Sequence, residues 1–220
     1  MNETLSPSGR TPNASPPSFG WLAIAVVAAA GVTLAVAVWP RGAPQIHPAV
    51  GKPLATLDLT PLTSAAEPLQ ADDLEGRVTL LNFWGPWCGI CRKELPHLVA
   101  LGEKYADEPA VQLLFVSCDG SWLPHGAPAI VWSEDLAQLS TDTQEALSSF
   151  PTPPPTYADV HGHTREALAA MGGWEGYPTT LLIDQAGVVR NVWVGYQNGD
   201  EQEIEQQLRS LIRNARERTQ

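Results

Sequence analysis

The residues best suited to chemistry in this 220-residue chain are two cysteines with two residues between them, Cys88-Gly89-Ile90-Cys91. A cysteine reacts as its thiolate, and a thiolate at a helix N-terminus faces unpaired backbone N–H groups and the positive end of the dipole, which lower its pKa. Arg92 and Lys93 add positive charge beside the pair. On an opening helical turn this spacing puts Cys91 one turn beyond Cys88, close enough to attack a mixed disulfide formed there. Thiol–disulfide exchange then takes two steps: Cys88 attacks a partner disulfide, and Cys91 displaces the partner's thiolate. The same sulfurs would also suit a static disulfide, half of a zinc site or a Cu(I) ion. Completing tetrahedral zinc would require Cys118, His97, His125, His161 or His163, none at a recognisable spacing, so neither a metal nor a cofactor is expected.

Positioning such a pair requires a strand that delivers Cys88 and a helix that begins beside it. Arg77 to Trp84 is an apolar run of β-formers, and from Cys91 the leucines and valine at 95, 98, 99 and 101 follow a helical period. Val111 to Ser117 reads as a second buried strand, Asp135 to Phe150 as a helix, and Pro151 to Tyr157 (PTPPPTY) as a stiff connector. Thr164 to Met171 reads as a short helix closed by Gly172-Gly173. Thr179 to Asp184 and Val188 to Gly195 form a hairpin about Gln185-Ala186-Gly187, and a last helix repeats Ile204, Leu208, Leu211, Ile212 and Ala215. The order predicts an α/β fold, a mixed central sheet flanked by helices on both faces.

The stretch from Phe83 to Pro96, FWGPWCGICRKELP, resembles the active-site segment of thioredoxin-fold proteins, specifically the membrane-anchored TlpA and ResA branch of thiol-disulfide oxidoreductases. Gly176-Tyr177-Pro178-Thr179-Thr180 is similar to that family's cis-proline loop, and the likeness covers about residues 50 to 216. It implies a thioredoxin-like fold and a redox-active Cys88–Cys91 disulfide. It further implies a cis Pro178, a substrate chain docked by Tyr177, Pro178 and Thr179, and a surface shaped by Trp84, Trp87, Gly89 and Ile90. Where thioredoxin has a buried aspartate this chain has Asn82. Glu94 is then either the replacement proton carrier, as the branch's CxxC-x-x-Glu pattern implies, or a solvated helix charge.

Composition narrows the setting. With 20 prolines, 18 glycines and 44% hydrophobic positions, the chain is no collagen, coiled coil or wholly disordered protein. Thirteen basic against 24 acidic residues give a net charge of -11, which argues against nucleic acid and anionic lipid surfaces. Residues 19–39 carry no charge and are long enough to cross a bilayer, with Trp21 and Trp39 near the two headgroup layers. The expected organisation is a disordered tail (1–18), one transmembrane anchor (19–39), a Pro/Gly-rich tether (40–53), a thioredoxin-like domain (54–217) and a short C-terminal tail (218–220). A cleaved signal is the rival reading of the apolar segment.

The expected protein is a single-pass, membrane-tethered thiol-disulfide oxidoreductase, its domain facing the periplasm or extracytoplasmic space of a bacterium. The resemblance implies protein disulfides as substrates, a membrane electron donor for the disulfide, and a reductive role such as cytochrome c maturation. A Cu(I)-delivering module using the same cysteines is the alternative. A thiol peroxidase is weaker, since Pro86-Trp87-Cys88 lacks the Thr-x-x-Cys arrangement of such peroxidases.

Overall fold

The computed structural model describes residues 46–65, 67–119 and 133–218. The expected tail and anchor, and residues 40–45 of the tether, lie outside the described residues. No helix among the described residues is long and apolar enough to cross a membrane.

Among the described residues seven strands form one sheet: β1 (Asp58–Thr63), β2 (Leu69–Gln70), β3 (Val78–Trp84), β4 (Val111–Ser117), β5 (Thr156–Ala158), β6 (Thr179–Ile183) and β7 (Val189–Val194), in the order β2-β1-β5-β4-β3-β6-β7. β3 runs parallel to β4 and antiparallel to β6, so the sheet is mixed. Because β3 is central, all seven of its residues are buried, which is why its sequence reads as a continuous apolar run. Its side chains alternate between two cores. Leu81 and Phe83 join Leu114, Val116, Cys118 and Leu181 on one face. Val78, Leu80 and Trp84 join Phe115, Leu182 and the active-site cysteines on the other.

Among the described residues four α-helices pack with the sheet: α1 (Cys91–Lys104), α2 (Ser133–Leu147), α3 (His163–Ala170) and α4 (Asp200–Arg218). α1 and α4 pack on the cysteine side, α4 through Ile204, Leu208 and Ile212, and α3 covers the opposite face through Leu168. Gly187 closes the β6–β7 turn at φ +72°, a conformation open to glycine at little steric cost.

The structure departs from expectation at two places. Pro151 to Tyr157 is not all connector: Thr156–Ala158 is β5, hydrogen-bonded between β1 and β4. Three residues after a run of prolines are too few to show a period. Part of the expected tether also belongs to the folded unit, since Ala49 is fully buried and the Gly51 N–H donates to the Val189 carbonyl at 2.8 Å. Proline and glycine there mark a turn pressed onto β7.

Candidate active site

β3 ends at Trp84, and the chain turns through Gly85–Ile90 into α1, which begins at Cys91. Cys88 and Cys91 are joined by a disulfide with an S–S distance of 2.03 Å. The backbone N–H of Cys91 points at the Cys88 sulfur, 3.2 Å away. After reduction the same helix-opening donor favours the Cys88 thiolate, the physical basis of a nucleophilic first cysteine. Cys88 is 6% exposed and Cys91 1%, so a partner's sulfur meets Cys88 first.

Two large apolar side chains flank the pair at the surface, next to the exposed charges of Arg92 and Lys93. Trp87 is 52% exposed and Ile90 43%, two of the few large apolar side chains left in solvent among the described residues, and Gly89 between them is open. Trp87 is nonetheless fixed: its indole N–H donates to the Cys118 carbonyl at 2.9 Å, and its ring meets Tyr177 edge-on at 5.3 Å. Gly85 makes room for this, since a Cβ there would lie 2.5 Å from Trp87 Nε1 and 2.9 Å from the Cys118 oxygen. Gly85→Ala is therefore expected to displace the Trp87 indole and lower stability by about 1–3 kcal/mol, read by urea denaturation.

The loop at 176–178 reaches the cysteines by strand register. Phe83 pairs with Thr179 across β3 and β6, so Tyr177 and Pro178 lie just past the end of β3 where the active-site turn begins. The Tyr177–Pro178 peptide bond is cis.

Two residues expected in the substrate site, Trp84 to shape its surface and Thr179 to dock the chain, have no accessible surface. Trp84 is fully buried beneath the cysteines, because β3 is covered on both faces. Thr179 is also fully buried, paired in β6 between β3 and β7, and its hydroxyl donates to the Gly176 carbonyl at 2.7 Å, which ties the loop together. Pro178 is buried too, and its carbonyl accepts the Gly195 N–H at 2.8 Å. Tyr177, Trp87, Gly89 and Ile90 are the site residues with accessible surface.

Glu94 is 2% exposed, which removes the solvated-charge reading. Its carboxylate receives Asn82 Nδ2 at 3.0 Å on one oxygen and the Thr180 hydroxyl at 3.0 Å on the other. Asn82 Nδ2 also reaches Thr180 Oγ1 at 2.8 Å, closing a three-membered network under the cysteine pair. Burial raises the Glu94 pKa to about 7 from an ordinary 4.5, against the opposing pull of the Thr180 and Asn82 hydrogen bonds. A carboxyl that titrates near neutrality one helical turn beyond Cys91 can take up or give back a proton as that cysteine changes state. By sequence Asn82 is only a missing acid; in the fold it is the amide that holds the acid's replacement.

Cys118 lies at the same end of the sheet as the pair, but its side chain belongs to the opposite core. Burial, foremost, pushes its thiol up to about 11, so at neutral pH it stays protonated and a poor nucleophile. Among the described residues no cluster of three or more His, Cys, Asp or Glu side chains is arranged to hold a metal ion.

Comparison with known proteins agrees with this geometry. Residues 50–192 match the model of the AhpC/TSA family. The thioredoxin-like protein YneN of Bacillus subtilis is 30% identical over 152 residues, 69% of this chain and 75% of that protein. The thiol:disulfide interchange protein DsbE of Pseudomonas aeruginosa is 31% identical over 146 residues, 66% of this chain and 67% of its own. A crystal structure of a DsbE-type interchange protein from Chlorobium tepidum superimposes with a TM-score of 0.56 at 25% identity, covering 74% of this chain and 96% of that one. With a disulfide closed at the opening of α1, at the end of a mixed sheet, and with these relatives, the chain belongs to the AhpC/TSA family as a thioredoxin-like thiol-disulfide oxidoreductase.

Proposed function

We propose that the chain is a membrane-tethered reductant of protein disulfides, working outside the cytoplasmic membrane of a bacterium in a process such as cytochrome c maturation. Cys88 is the nucleophile and Cys91 the resolving cysteine, and Glu94 carries the proton that Cys91 loses and regains. Trp87, Ile90 and Tyr177 receive the substrate chain, and a membrane electron donor returns the pair to the dithiol state. The observation that carries this reading is the Cys88–Cys91 disulfide itself, with a helix N–H on the Cys88 sulfur and exposed apolar side chains on either side. A small disulfide needs no such apolar rim, whereas a polypeptide segment brings apolar surface to cover it. The names of the relatives support exchange, and the uncharged segment 19–39 supports the tether.

The test is the equilibrium potential of the full chain in a glutathione buffer, followed by separation of cell membranes. A potential more negative than about −200 mV is expected of a reductant in an oxidising compartment, and one near about −120 mV would make it an oxidant instead. The protein is expected to stay with the membranes after an alkaline wash, its domain open to protease in spheroplasts. Release by the wash would remove the tether from the proposal. Stoichiometric, tight Cu(I) binding with negligible exchange would replace the reductant by a copper-delivering module.

A further inference from the structure

Behind the active-site face lies a buried ion pair with no part in sulfur exchange. Arg165 in α3 is 1% exposed. Its Nε donates to Asp159 Oδ2 at 3.0 Å and its Nη2 to the Asp159 carbonyl at 3.0 Å. The remaining arm, Nη1, donates to the Tyr177 hydroxyl at 3.0 Å. Asp159 is held in turn by the backbone N–H groups of Thr164 and Arg165, at 3.2 and 3.0 Å, where α3 opens. The guanidinium is thus gripped from one side and presents a fixed donor on the other.

Taking two charges out of water is expensive, and apolar residues of similar volume often serve stability as well or better. Stability alone is therefore a weak reason for the pair. What apolar residues would not supply is the donor aimed at Tyr177, the residue that precedes Pro178. The Tyr177 ring stands edge-on to Trp174 at 5.2 Å and to Trp87 at 5.3 Å. Trp87 is the exposed neighbour of Cys88, held by its indole N–H on the Cys118 carbonyl. A continuous set of fixed contacts runs from Asp159 through Arg165 and Tyr177 to the rim of the reactive cysteine. Cys118 and Leu168 of α3 belong to the core on this side, while Cys91 lies in the other.

We propose that Arg165, locked by Asp159, is a positioning residue for the substrate polypeptide: it fixes Tyr177, and through Tyr177 the Trp87 ring and the 176–178 loop, in the arrangement that receives an extended chain. The inference rests on the reading of the protein as a protein-disulfide oxidoreductase. Arg165 touches neither sulfur, so its loss changes how well a polypeptide binds and leaves the exchange chemistry alone. A small disulfide, which has no chain to dock, is indifferent to it.

The test uses the full chain with two disulfide substrates, insulin and oxidised glutathione. The double variant Asp159→Leu/Arg165→Met removes the ion pair without leaving a buried charge, and Tyr177→Phe removes only the hydroxyl. In the double variant KM for insulin is expected to rise about tenfold, the worth of one hydrogen bond to a charged group, with kcat within twofold of the parent, and Tyr177→Phe is expected to raise KM by the same factor. The double variant is expected to keep its rate with oxidised glutathione and its equilibrium potential. The triple variant should be no worse than either, because the pair acts through the hydroxyl and the losses do not add. An unchanged insulin KM, or losses that multiply in the triple variant, overturns the proposal. If the double variant does not fold, as circular dichroism would show, Arg165→Lys, which keeps a charge beside Asp159 but lacks the guanidinium arm that reaches Tyr177, decides by the same KM. A parent protein that reduces neither substrate would instead overturn the functional reading on which this one stands.

Discussion

Replacing Cys88 with serine is expected to lower the rate of insulin reduction by about a thousandfold or more, because no other described sulfur is placed to begin the reaction. Cys91 is less exposed than Cys88 and lies inside the first turn of α1, and Cys118 is buried in the opposite core with its thiol held protonated. The Cys88 sulfur alone has the Cys91 backbone N–H directed at it. Cys91→Ser has a different signature. Cys88 still attacks, but the mixed disulfide has no internal thiol to break it, so a covalent adduct accumulates on a non-reducing gel. The adduct's partner in cell extracts is then the physiological substrate, read by mass spectrometry. An adduct formed by Cys88→Ser and absent from Cys91→Ser would reverse the two roles.

The chemistry was legible before the structure because it is written in residues that are close in sequence. A strand of β-formers, a turn and a helix beginning at a cysteine describe Val78–Lys104 within a residue or two, and the period of α4 is visible in Ile204, Leu208 and Ile212. What stayed hidden depends on contacts between distant positions. Glu94 has two readings in sequence, and only its burial against Asn82 and Thr180, 12 and 86 residues away, separates them. Arg165 and Asp159 look like ordinary solvated charges around a short helix, yet they are nearly inaccessible and face Tyr177. Trp84 and Thr179 read as part of the substrate site because their neighbours in sequence line it, and a strand buried on both faces admits no such inference.

Glu94→Gln is expected to change the response to pH of both stability and rate, in directions fixed by the position of the carboxyl. The folded chain holds the Glu94 proton up to a pH of about 7, whereas the unfolded chain releases it near 4.5. Between those values the folded state binds more protons than the unfolded one, so the parent protein loses stability as pH rises. The loss is complete above about 7 and amounts to about 3 kcal/mol, since each unit of pKa difference is worth about 1.4 kcal/mol. Glutamine fits the same space and carries no proton to release, so the variant lacks this slope and is the more stable of the two at pH 8 in urea titrations. Activity runs the other way. In the mechanism proposed above, ionised Glu94 accepts the proton that Cys91 must shed before it attacks the mixed disulfide, so the parent's resolving step is expected to quicken as pH rises through about 7. In the variant that inflection disappears and the step at pH 8 slows by about 10²-fold, measured by single-turnover release of a labelled thiol. Asp200 contributes to holding the Glu94 pKa up, and Asn82 and Thr180 contribute to holding it down, so removal of either hydrogen-bond donor moves the inflection to higher pH without abolishing it. A resolving step whose pH profile is the same in parent and variant would mean that Cys91 passes its proton directly to water and that the buried carboxyl serves packing alone.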